Sequence, residues 1–371
     1  MRSGRRNISN KYVAKCLWKR VDFCKFTLFP FLKNQTNYMA KAVKTENSDQ
    51  EKDILSEKLK ALEKKYGAGT IIMGRDTKED LEIVDSGSLT INLATNLGGY
   101  PVGKLIELLG MESSGKSTLT LHAIANFQKL PGKCVLVDYE QAFDRAYATA
   151  LGVDMEKLII IQPECMEDGY NMTEELIRTN NIRLIVHDSH TAGMPKKVVD
   201  GEVGDATIGL QARINSQGLG KIKPLLKVNR CTMMGISQIR QNIGGYGDPN
   251  QSTGGLAWKF YSDMRMKVNK SVDKENESNK TTVEVIKNKC AAPFGKAEFT
   301  IDWGKGVSRM MEIITLGQDL KMITRAGAWY TLPNLEKTIQ GEQGVLQFLS
   351  DNPEYAETIE KEVLSKLKEL R

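Results

Sequence analysis

The stretch Gly110-Met111-Glu112-Ser113-Ser114-Gly115-Lys116-Ser117 decides the fold of this chain, because it satisfies the pattern G-x-x-x-x-G-K-[ST] at every fixed position. An apolar run of strand length, residues 104–109, precedes it, and a stretch with helical character, residues 118–125, follows. A strand, a glycine-containing loop and a helix in this order direct backbone N–H groups and a helix N-terminus at phosphate oxygens. The sequence therefore predicts a phosphate-binding loop.

The residue types in this loop each have a predicted role. The glycines allow a tight turn and a close approach of the backbone to a ligand. Lys116 is predicted to contact the β- and γ-phosphates, and the Ser117 hydroxyl is predicted to bind Mg²⁺. The predicted nucleotide-binding residues here are Gly110, Met111, Glu112, Ser113, Ser114, Gly115, Lys116, Ser117 and Thr118.

The composition is that of a globular protein of about two to three domains, because the chain has 371 residues of which 40% are hydrophobic. The net charge of +6 suits an anionic partner without identifying one. None of the six cysteines forms a C-x-x-C pair, which indicates neither a zinc site nor a disulfide framework. Free thiols are typical of a reducing compartment, and we expect a cytoplasmic protein. No apolar run approaches the roughly 20 residues of a membrane span.

Residues 1–38 are rich in arginine and lysine, and Asp22 is their only acid. Three interpretations compete: an organellar transit peptide, a basic arm for nucleic acid, or translated upstream sequence with the working start at Met39. We favour the third. The first would make the location organellar.

Hydrophobic periodicity divides the rest of the chain. Residues 50–66 are spaced for one face of a helix, which could pack on its own core or on a neighbouring subunit. From about 88 to 318, apolar runs alternate with helical segments, which predicts an α/β fold with a mostly parallel central sheet flanked by helices and an antiparallel extension. We expect residues 270–280 to form an exposed hairpin loop. The predicted divisions are 1–38, 39–87, 88–318 and a small α+β domain at 319–371, which contains a lysine-rich helix at 355–370.

Three polar side chains at predicted strand ends are candidates for the chemistry of phosphate transfer, because ligands of open α/β sheets bind at the carboxyl ends of the strands. Asp188 ends an apolar run and is predicted to be the acid on the metal side. Glu140 follows another strand and could polarise the attacking water. Gln238 carries an amide that could sense a γ-phosphate. We interpret His187 and His190 as structural, because their spacing is unlike that of a zinc pair.

Two loops follow these strands. The loop after Gln238, residues 239–255, is long and rich in glycine, and long loops without secondary structure are usually functional. It combines a basic group, apolar side chains and backbone freedom, which suit single-stranded nucleic acid. The other loop, residues 196–205, follows Asp188. By itself neither loop specifies DNA.

Several motifs together resemble the bacterial RecA recombinase family over residues 55–370, in order and in spacing. Besides the phosphate loop, they are Val137-Asp138-Tyr139-Glu140, Glu202-Val203-Gly204-Asp205, Gln238-Ile239-Arg240, Thr253-Gly254-Gly255, Lys259-Phe260-Tyr261, Lys287-Asn288-Lys289-Cys290-Ala291-Ala292-Pro293-Phe294 and Gly327-Ala328-Trp329-Tyr330. The resemblance implies a RecA-type P-loop ATPase core. It also implies an ATP- and Mg²⁺-dependent enzyme that forms helical filaments on single-stranded DNA, pairs homologous duplex DNA and exchanges strands in DNA repair. Family members act in the SOS response by promoting self-cleavage of a LexA-type repressor.

The resemblance also implies roles for individual residues. Catalysis is assigned to Glu140, Lys116, Gln238 and the pair Lys287 and Lys289, which resembles lysines that reach ATP across a subunit interface. Asp144 and Tyr147 match positions that contact adenine, and Phe260 matches a position that transmits the nucleotide state between subunits. Residues 196–209 and 239–253 match two DNA-binding loops. The implied DNA-binding residues are Lys196, Lys197, Gly201, Glu202, Gly204, Ile208, Arg213, Arg240, Ile243, Gly244, Gly245, Thr253 and Gly254.

The chain departs from the family pattern at several positions that carry no key group. They are Met111, Tyr139, Gln141, His187, His190 and Trp258. Two rival functions remain: a helicase or branch-migration ATPase of the same fold, and a DNA-binding filament protein that has lost hydrolysis. The lysine pair argues against the first rival, and retention of Glu140 and Lys116 argues against the second.

Overall fold

A computed structural model describes residues 47–67, 71, 81–202, 209–241, 250–252, 254–273 and 277–369. The chain divides into two compact units, Met1–Lys78 and Glu79–Arg371. In the first unit the described structure is dominated by one 20-residue helix, Asn47–Tyr66, where a helix was predicted. Among the described residues, no helix has both the length and the apolar character needed to span a membrane.

The secondary structure of the described residues is as follows. The helices are α1 Asn47–Tyr66, α2 Leu89–Ala94, α3 Lys116–Phe127, α4 Arg145–Ala150, α5 Met166–Arg178, α6 Lys196–Val199, α7 Leu210–Val228, α8 Ala257–Tyr261, α9 Arg309–Asp319, α10 Glu342–Asp351 and α11 Pro353–Glu369. The strands are β1 Ile83–Val84, β2 Tyr100–Pro101, β3 Leu105–Gly110, β4 Lys133–Asp138, β5 Leu158–Ile161, β6 Ile182–Asp188, β7 Thr232–Gln241, β8 Asn250–Ser252, β9 Met264–Asp273, β10 Ser278–Asn288, β11 Lys296–Asp302, β12 Gly306–Val307, β13 Thr324–Ala326, β14 Trp329–Thr331 and β15 Thr338–Gln340.

The second unit is built on a ten-stranded sheet in the order β12-β11-β10-β9-β3-β7-β6-β4-β5, with β8 paired to β7. The six strands from β9 to β5 run parallel to their neighbours. Strands β10, β11 and β12 extend the sheet in antiparallel fashion. This confirms the predicted α/β fold, in which a parallel sheet covered by helices carries an antiparallel extension.

The central strand β3 shows why the apolar runs become buried strands, since all six of its residues are buried. Its side chains alternate between two cores: Ile106 and Leu108 pack in the core that includes α3. Leu105 packs on the other face, in the core that includes Tyr170 of α5 and Leu219 of α7. A strand covered by helices on both faces has no solvent-facing side, which explains why apolar residues dominate its sequence. Its one charged residue, Glu107, is buried and accepts hydrogen bonds from Ser237 and Arg265.

The C-terminal part of the second unit has its own small core. Strands β13, β14 and β15 form an antiparallel three-stranded sheet. Helices α9, α10 and α11 pack with it around buried residues that include Tyr330, Leu349 and Val363.

Two predictions for loops were wrong in detail. Residues 270–280 are not all loop, because β9 continues to Asp273 and β10 begins at Ser278. The loop after Gln238 has a β-hairpin at its base, since Ile239, Arg240 and Gln241 pair with β8. In both places antiparallel pairing of the backbone extends the strands into polar sequence. The side-chain pattern of these residues gave no sign of that pairing.

Candidate active site

The phosphate loop connects β3 to α3, as predicted. Strand β3 ends at Gly110 and α3 begins at Lys116. Gly115 has a φ of 94°, a left-handed conformation that glycine adopts without strain. A Cβ atom on Gly110 would lie 2.4 Å from the carbonyl oxygen of Val268, so this position also requires glycine. The loop therefore leaves its backbone open to a ligand at the N-terminus of a 12-residue helix.

The side chain of Lys116 is folded back into this loop. Its Nζ donates to the carbonyl oxygens of Gly110 at 3.1 Å and Met111 at 2.6 Å, and to Ser114 Oγ at 3.4 Å. Burial lowers the pKa of Lys116, while Asp188 and Glu140 oppose that shift. A buried ammonium group facing two acids is a cation held where phosphate oxygens would meet the loop.

Asp188 is the last residue of β6 and lies beside the start of α3. The Ser117 hydroxyl lies beside the Asp188 carboxyl. Burial raises the pKa of the Asp188 carboxyl to about 6, and the nearby acids Glu140 and Asp138 add to that effect. A hydroxyl and a carboxylate side by side are hard oxygen donors of the kind that Mg²⁺ prefers, so these residues fit the ion.

Glu140 follows the end of β4 and receives two hydrogen bonds on one carboxylate oxygen. Ser189 Oγ donates to Oε1 at 2.6 Å, and Gln238 Nε2 donates to the same oxygen at 2.9 Å. The structure therefore brings together residues from β4, β6 and β7, because these parallel strands are neighbours and end at the same edge. Ser189 is a partner that the sequence analysis missed, and its position directly after Asp188 was the available signal.

An open cavity of about 320 Å³ adjoins the phosphate loop. Tyr147 lines it, and its hydroxyl lies 3.0 Å from Thr118 Oγ1. Asp144 caps α4 by accepting from the backbone N–H of Tyr147 at 3.0 Å. Sequence reasoning missed five further residues that line this cavity: Asn279, Ile301, Asp302, Trp303 and Gly304. A half-exposed Trp303 followed by glycine at the end of β11 was a signal for a ligand-facing turn.

Lys287 and Lys289 lie at the end of β10, and both side chains hydrogen-bond to backbone carbonyls of α8. Lys287 Nζ donates to the carbonyl oxygens of Lys259 at 2.7 Å and Phe260 at 3.1 Å, and Lys289 Nζ donates to that of Phe260 at 3.4 Å. Burial lowers the pKa of Lys287, and the neighbouring Lys289 adds to this shift. The Phe260 side chain is 66% exposed. Two cations and an exposed aromatic ring therefore share one surface.

His187 and His190 are both buried in an aromatic cluster behind these strand ends. His187 Nε2 lies 2.9 Å from Thr173 Oγ1, and His190 Nε2 lies 2.6 Å from Ser237 Oγ. Burial lowers the pKa of each imidazole to about 3. Both rings are therefore neutral, which fits the structural interpretation.

The predicted DNA-binding residues are only partly within the described structure. Lys196 and Lys197 begin α6, Gly201 and Glu202 follow it, and Arg213 lies in the first turn of α7. Arg240 belongs to the hairpin strand β7, and the Gly254 carbonyl accepts from Asn215 Nδ2 at 2.8 Å. Six others lie outside the described residues: Gly204, Ile208, Ile243, Gly244, Gly245 and Thr253.

Comparisons with known proteins agree with this geometry. The RecA N-terminal domain model matches residues 53–308, and the RecA C-terminal domain model matches residues 311–368. Protein RecA of Bacteroides thetaiotaomicron is 45% identical over 318 residues, which cover 82% of this chain and 96% of the relative. Protein RecA of Thermotoga neapolitana is 41% identical over 333 residues, which cover 87% and 95% of the two chains. The chain therefore belongs to the RecA family, and it is an ATP-dependent recombinase of DNA repair and recombination.

Proposed function

We propose that this chain assembles on single-stranded DNA with ATP and Mg²⁺, pairs it with homologous duplex DNA and exchanges strands, and that hydrolysis is coupled to DNA through Gln238. The observation that carries the proposal is the hydrogen bond from Gln238 Nε2 to Glu140 Oε1. Gln238 begins the strand segment that leads into the loop at 239–253, while Glu140 stands at the phosphate site. One contact thus joins the proposed DNA loop to the proposed catalytic acid.

The phosphate loop binds the triphosphate in this proposal. The backbone N–H groups at the start of α3 face the β- and γ-phosphates, where the helix dipole favours negative charge. Lys116 exchanges its carbonyl partners for phosphate oxygens and neutralises the charge that develops during transfer. Ser117 and Asp188 are the residues that would hold Mg²⁺, which would supply positive charge against the phosphates.

Glu140 orients and polarises the attacking water. Its Oε1 atom is occupied by Ser189 and Gln238, which leaves Oε2 to accept from water. Movement of the Gln238 amide would change the orientation of the carboxylate. Binding of DNA to the loop after Gln238 therefore regulates hydrolysis by this contact.

Different residues bind the adenine base and form the interface with a neighbouring subunit. Tyr147 and Asp144 hold one side of the 320 Å³ cavity for adenine, and the Trp303 ring offers a face for stacking on the other side. Lys287 and Lys289 act on the ATP of a neighbouring subunit, and Phe260 reports the nucleotide state across the same interface. Their position on one exposed surface with Phe260 supports this assignment.

The remaining proposals rest on family membership for the DNA contacts and the repressor, and on composition and periodicity for the location and the divisions of the chain. We assign the DNA contacts to residues 196–209 and 239–253 with Arg213, and we place the protein in the cytoplasm. We divide the chain at 38, 87 and 318. A LexA-type repressor is a further proposed partner in the SOS response.

The decisive experiment measures ATP hydrolysis by the purified full chain with and without single-stranded DNA. Strong stimulation by DNA is expected, because the loop and Glu140 are joined through Gln238. Hydrolysis that is indifferent to DNA would favour a different ATPase of the same fold. Nucleotide-dependent DNA binding without hydrolysis would favour a purely structural filament.

A further inference from the structure

A line of buried contacts crosses the sheet behind the proposed catalytic residues. The indole of Trp258 lies parallel to the imidazole of His190, with ring centroids 4.3 Å apart and planes inclined by 12°. His190 Nε2 lies 2.6 Å from Ser237 Oγ, and Ser237 Oγ donates to Glu107 Oε1 at 2.6 Å. Arg265 Nε donates to Glu107 Oε2. These five buried residues are called the buried chain below.

The hydrogen bonds of the buried chain have one direction. Glu107 pairs with Arg265 and accepts on both oxygens, so the Ser237 hydroxyl proton points to Glu107. His190 must then be the donor to Ser237 Oγ, which fixes the proton of its neutral ring on Nε2. The other nitrogen, Nδ1, is buried and has no partner among the described atoms. The bond to Ser237 is therefore the polar contact that orients this ring, and the stack on Trp258 is its apolar counterpart.

The buried chain touches three parts of the proposed mechanism. Trp258 lies in α8, just after the loop at 239–253 and before the carbonyl groups that hold Lys287 and Lys289. Ser237 precedes Gln238, whose amide contacts Glu140. Arg265 pairs in register with Lys287 across β9 and β10. The buried chain therefore connects the DNA loop, the catalytic acid and the interface lysines.

The strand β7 is shaped to receive the indole. A Cβ atom on Gly235 would lie 2.2 Å from the Trp258 ring, so the ring rests directly on the backbone two residues before Ser237. The imidazole of His190 stacks on the indole. Because the ring contacts both the strand backbone and this imidazole, displacement of α8 would displace Ser237 as well.

We propose that His190 and Trp258 are positioning residues for the stimulation of ATP hydrolysis by DNA, because they hold Ser237 and the start of the DNA loop in place relative to α8. DNA binding at 239–253 then reaches Glu140 through the buried chain. This inference rests on the proposed function and names residues in which the chain departs from the family pattern.

Two substitutions separate the two contacts of His190. His190→Phe keeps a ring against Trp258 but removes the donor to Ser237, whereas His190→Gln keeps a donor near the position of Nε2. For His190→Phe we expect the DNA-stimulated kcat to fall by roughly 2- to 30-fold, the span of coupling changes seen along connected residues. Its basal rate, KM for ATP and DNA affinity should stay as in the parent. His190→Gln should restore part of the stimulation.

The matched control is Thr173→Val, which removes the buried hydrogen bond to His187 and lies outside the buried chain. It should keep the ratio of stimulated to basal hydrolysis. The measurements are steady-state hydrolysis at saturating ATP with and without single-stranded DNA, DNA binding by fluorescence anisotropy, and Tm.

Three outcomes would overturn the inference. The first is an unchanged ratio of stimulated to basal hydrolysis in His190→Phe. The second is a fall of equal size in the basal and the stimulated rates of that variant. The third is a stimulated rate in His190→Gln that is no higher than in His190→Phe. If His190→Phe does not fold, Ser237→Ala is the deciding variant, because it removes the hydrogen bonds of the buried chain at the residue next to His190. It should lower DNA-stimulated hydrolysis and leave basal hydrolysis unchanged. If DNA does not stimulate ATP hydrolysis by the unsubstituted protein, the proposed function itself is wrong, and this result is obtained before any variant is compared.

Discussion

At the scale of the residue, Glu140 carries two hydrogen bonds on one oxygen, and a glutamine could accept both of them. Glu140→Gln therefore keeps the local geometry and removes only the basicity that water activation needs. We expect hydrolysis to fall by about 10²- to 10⁴-fold while nucleotide binding and DNA binding stay intact. Single-turnover phosphate release and binding of a fluorescent nucleotide would measure the two effects. Turnover within about threefold of the parent would mean that another group orients the water.

Asp188 gives a second prediction at this scale, for the protein without nucleotide or metal. Its pKa is raised from 3.8 in the unfolded chain to about 6 by burial and by Glu140 and Asp138. The native carboxyl holds its proton more tightly, so the free energy of unfolding falls as the pH rises from about 4 to 6. Asp188→Asn removes the cost of ionising this buried carboxyl. The free energy of unfolding of the variant should exceed that of the parent by about 1–3 kcal/mol at pH 7.

The same difference should shrink steadily as the pH falls to 4, because the carboxyl approaches full protonation in both states only below its unfolded pKa of 3.8. Urea unfolding of both proteins in a chelator at pH 4, 5, 6 and 7 would test this, since the other titrating groups are common to both. Equal stability at pH 7, or an advantage that grows as the pH falls, would show that the carboxyl is not under this strain.

At the scale of the element, Glu312 joins α9 to the N-terminus of α2. Its carboxylate accepts from Ser88 Oγ at 2.6 Å, from the backbone N–H groups of Leu89 and Thr90 at 3.0 Å each, and from Thr90 Oγ1 at 2.6 Å. Glu312→Ala would take the carboxylate partner from the backbone N–H groups of Leu89 and Thr90, while the two hydroxyls, 3.2 Å apart, would have only each other as acceptors among the described residues. We expect a loss of about 3–5 kcal/mol in the free energy of unfolding.

Glu357→Ala is the control for this prediction, because Glu357 is an exposed acid of α11 whose ion pair with Lys361 is weak. Chemical unfolding followed by circular dichroism would compare the two variants. If Glu312→Ala costs no more than the control, α9 is not held to α2 by this carboxylate.

At the scale of the whole molecule, the proposed interface predicts complementation between two inactive chains. A chain with Lys287→Ala and Lys289→Ala keeps Glu140, and a Glu140→Gln chain keeps both lysines. Each should hydrolyse ATP poorly alone. In a random 1:1 filament about a quarter of the interfaces would place an intact Glu140 site against intact lysines, because head-to-tail interfaces use different faces of each subunit. Hydrolysis in the mixture should therefore exceed that of either chain by itself.

Mixing the two chains before and after DNA is added would measure this effect. The control is a mixture of each chain with itself at the same total concentration. A mixture no more active than the mean of its components would place the lysines in their own subunit's site.

Much of the site could be predicted from the sequence, because its signals are local. The phosphate loop needs glycines and a lysine at fixed spacing, and strands of a helix-covered sheet favour apolar runs such as 158–161, which is the edge strand β5. Asp188, Glu140 and Gln238 were placed at strand ends by the same reasoning. Their proximity followed from the rule for parallel sheets, whereas their hydrogen bonds did not.

The sequence by itself therefore determined the family, the sheet with its helices and the position of the phosphate loop, since periodicity and motif spacing are properties of short segments. Only the tertiary structure decided what depends on the order of strands in space. It placed Trp303 on the cavity beside the phosphate loop, and it formed the hydrogen bonds of Lys287 to α8 and of Gln238 to Glu140. It also joined His190 and Trp258, 68 residues apart in the numbering, in one stack. Contacts between distant segments are fixed by packing of the complete sheet, which no local pattern records.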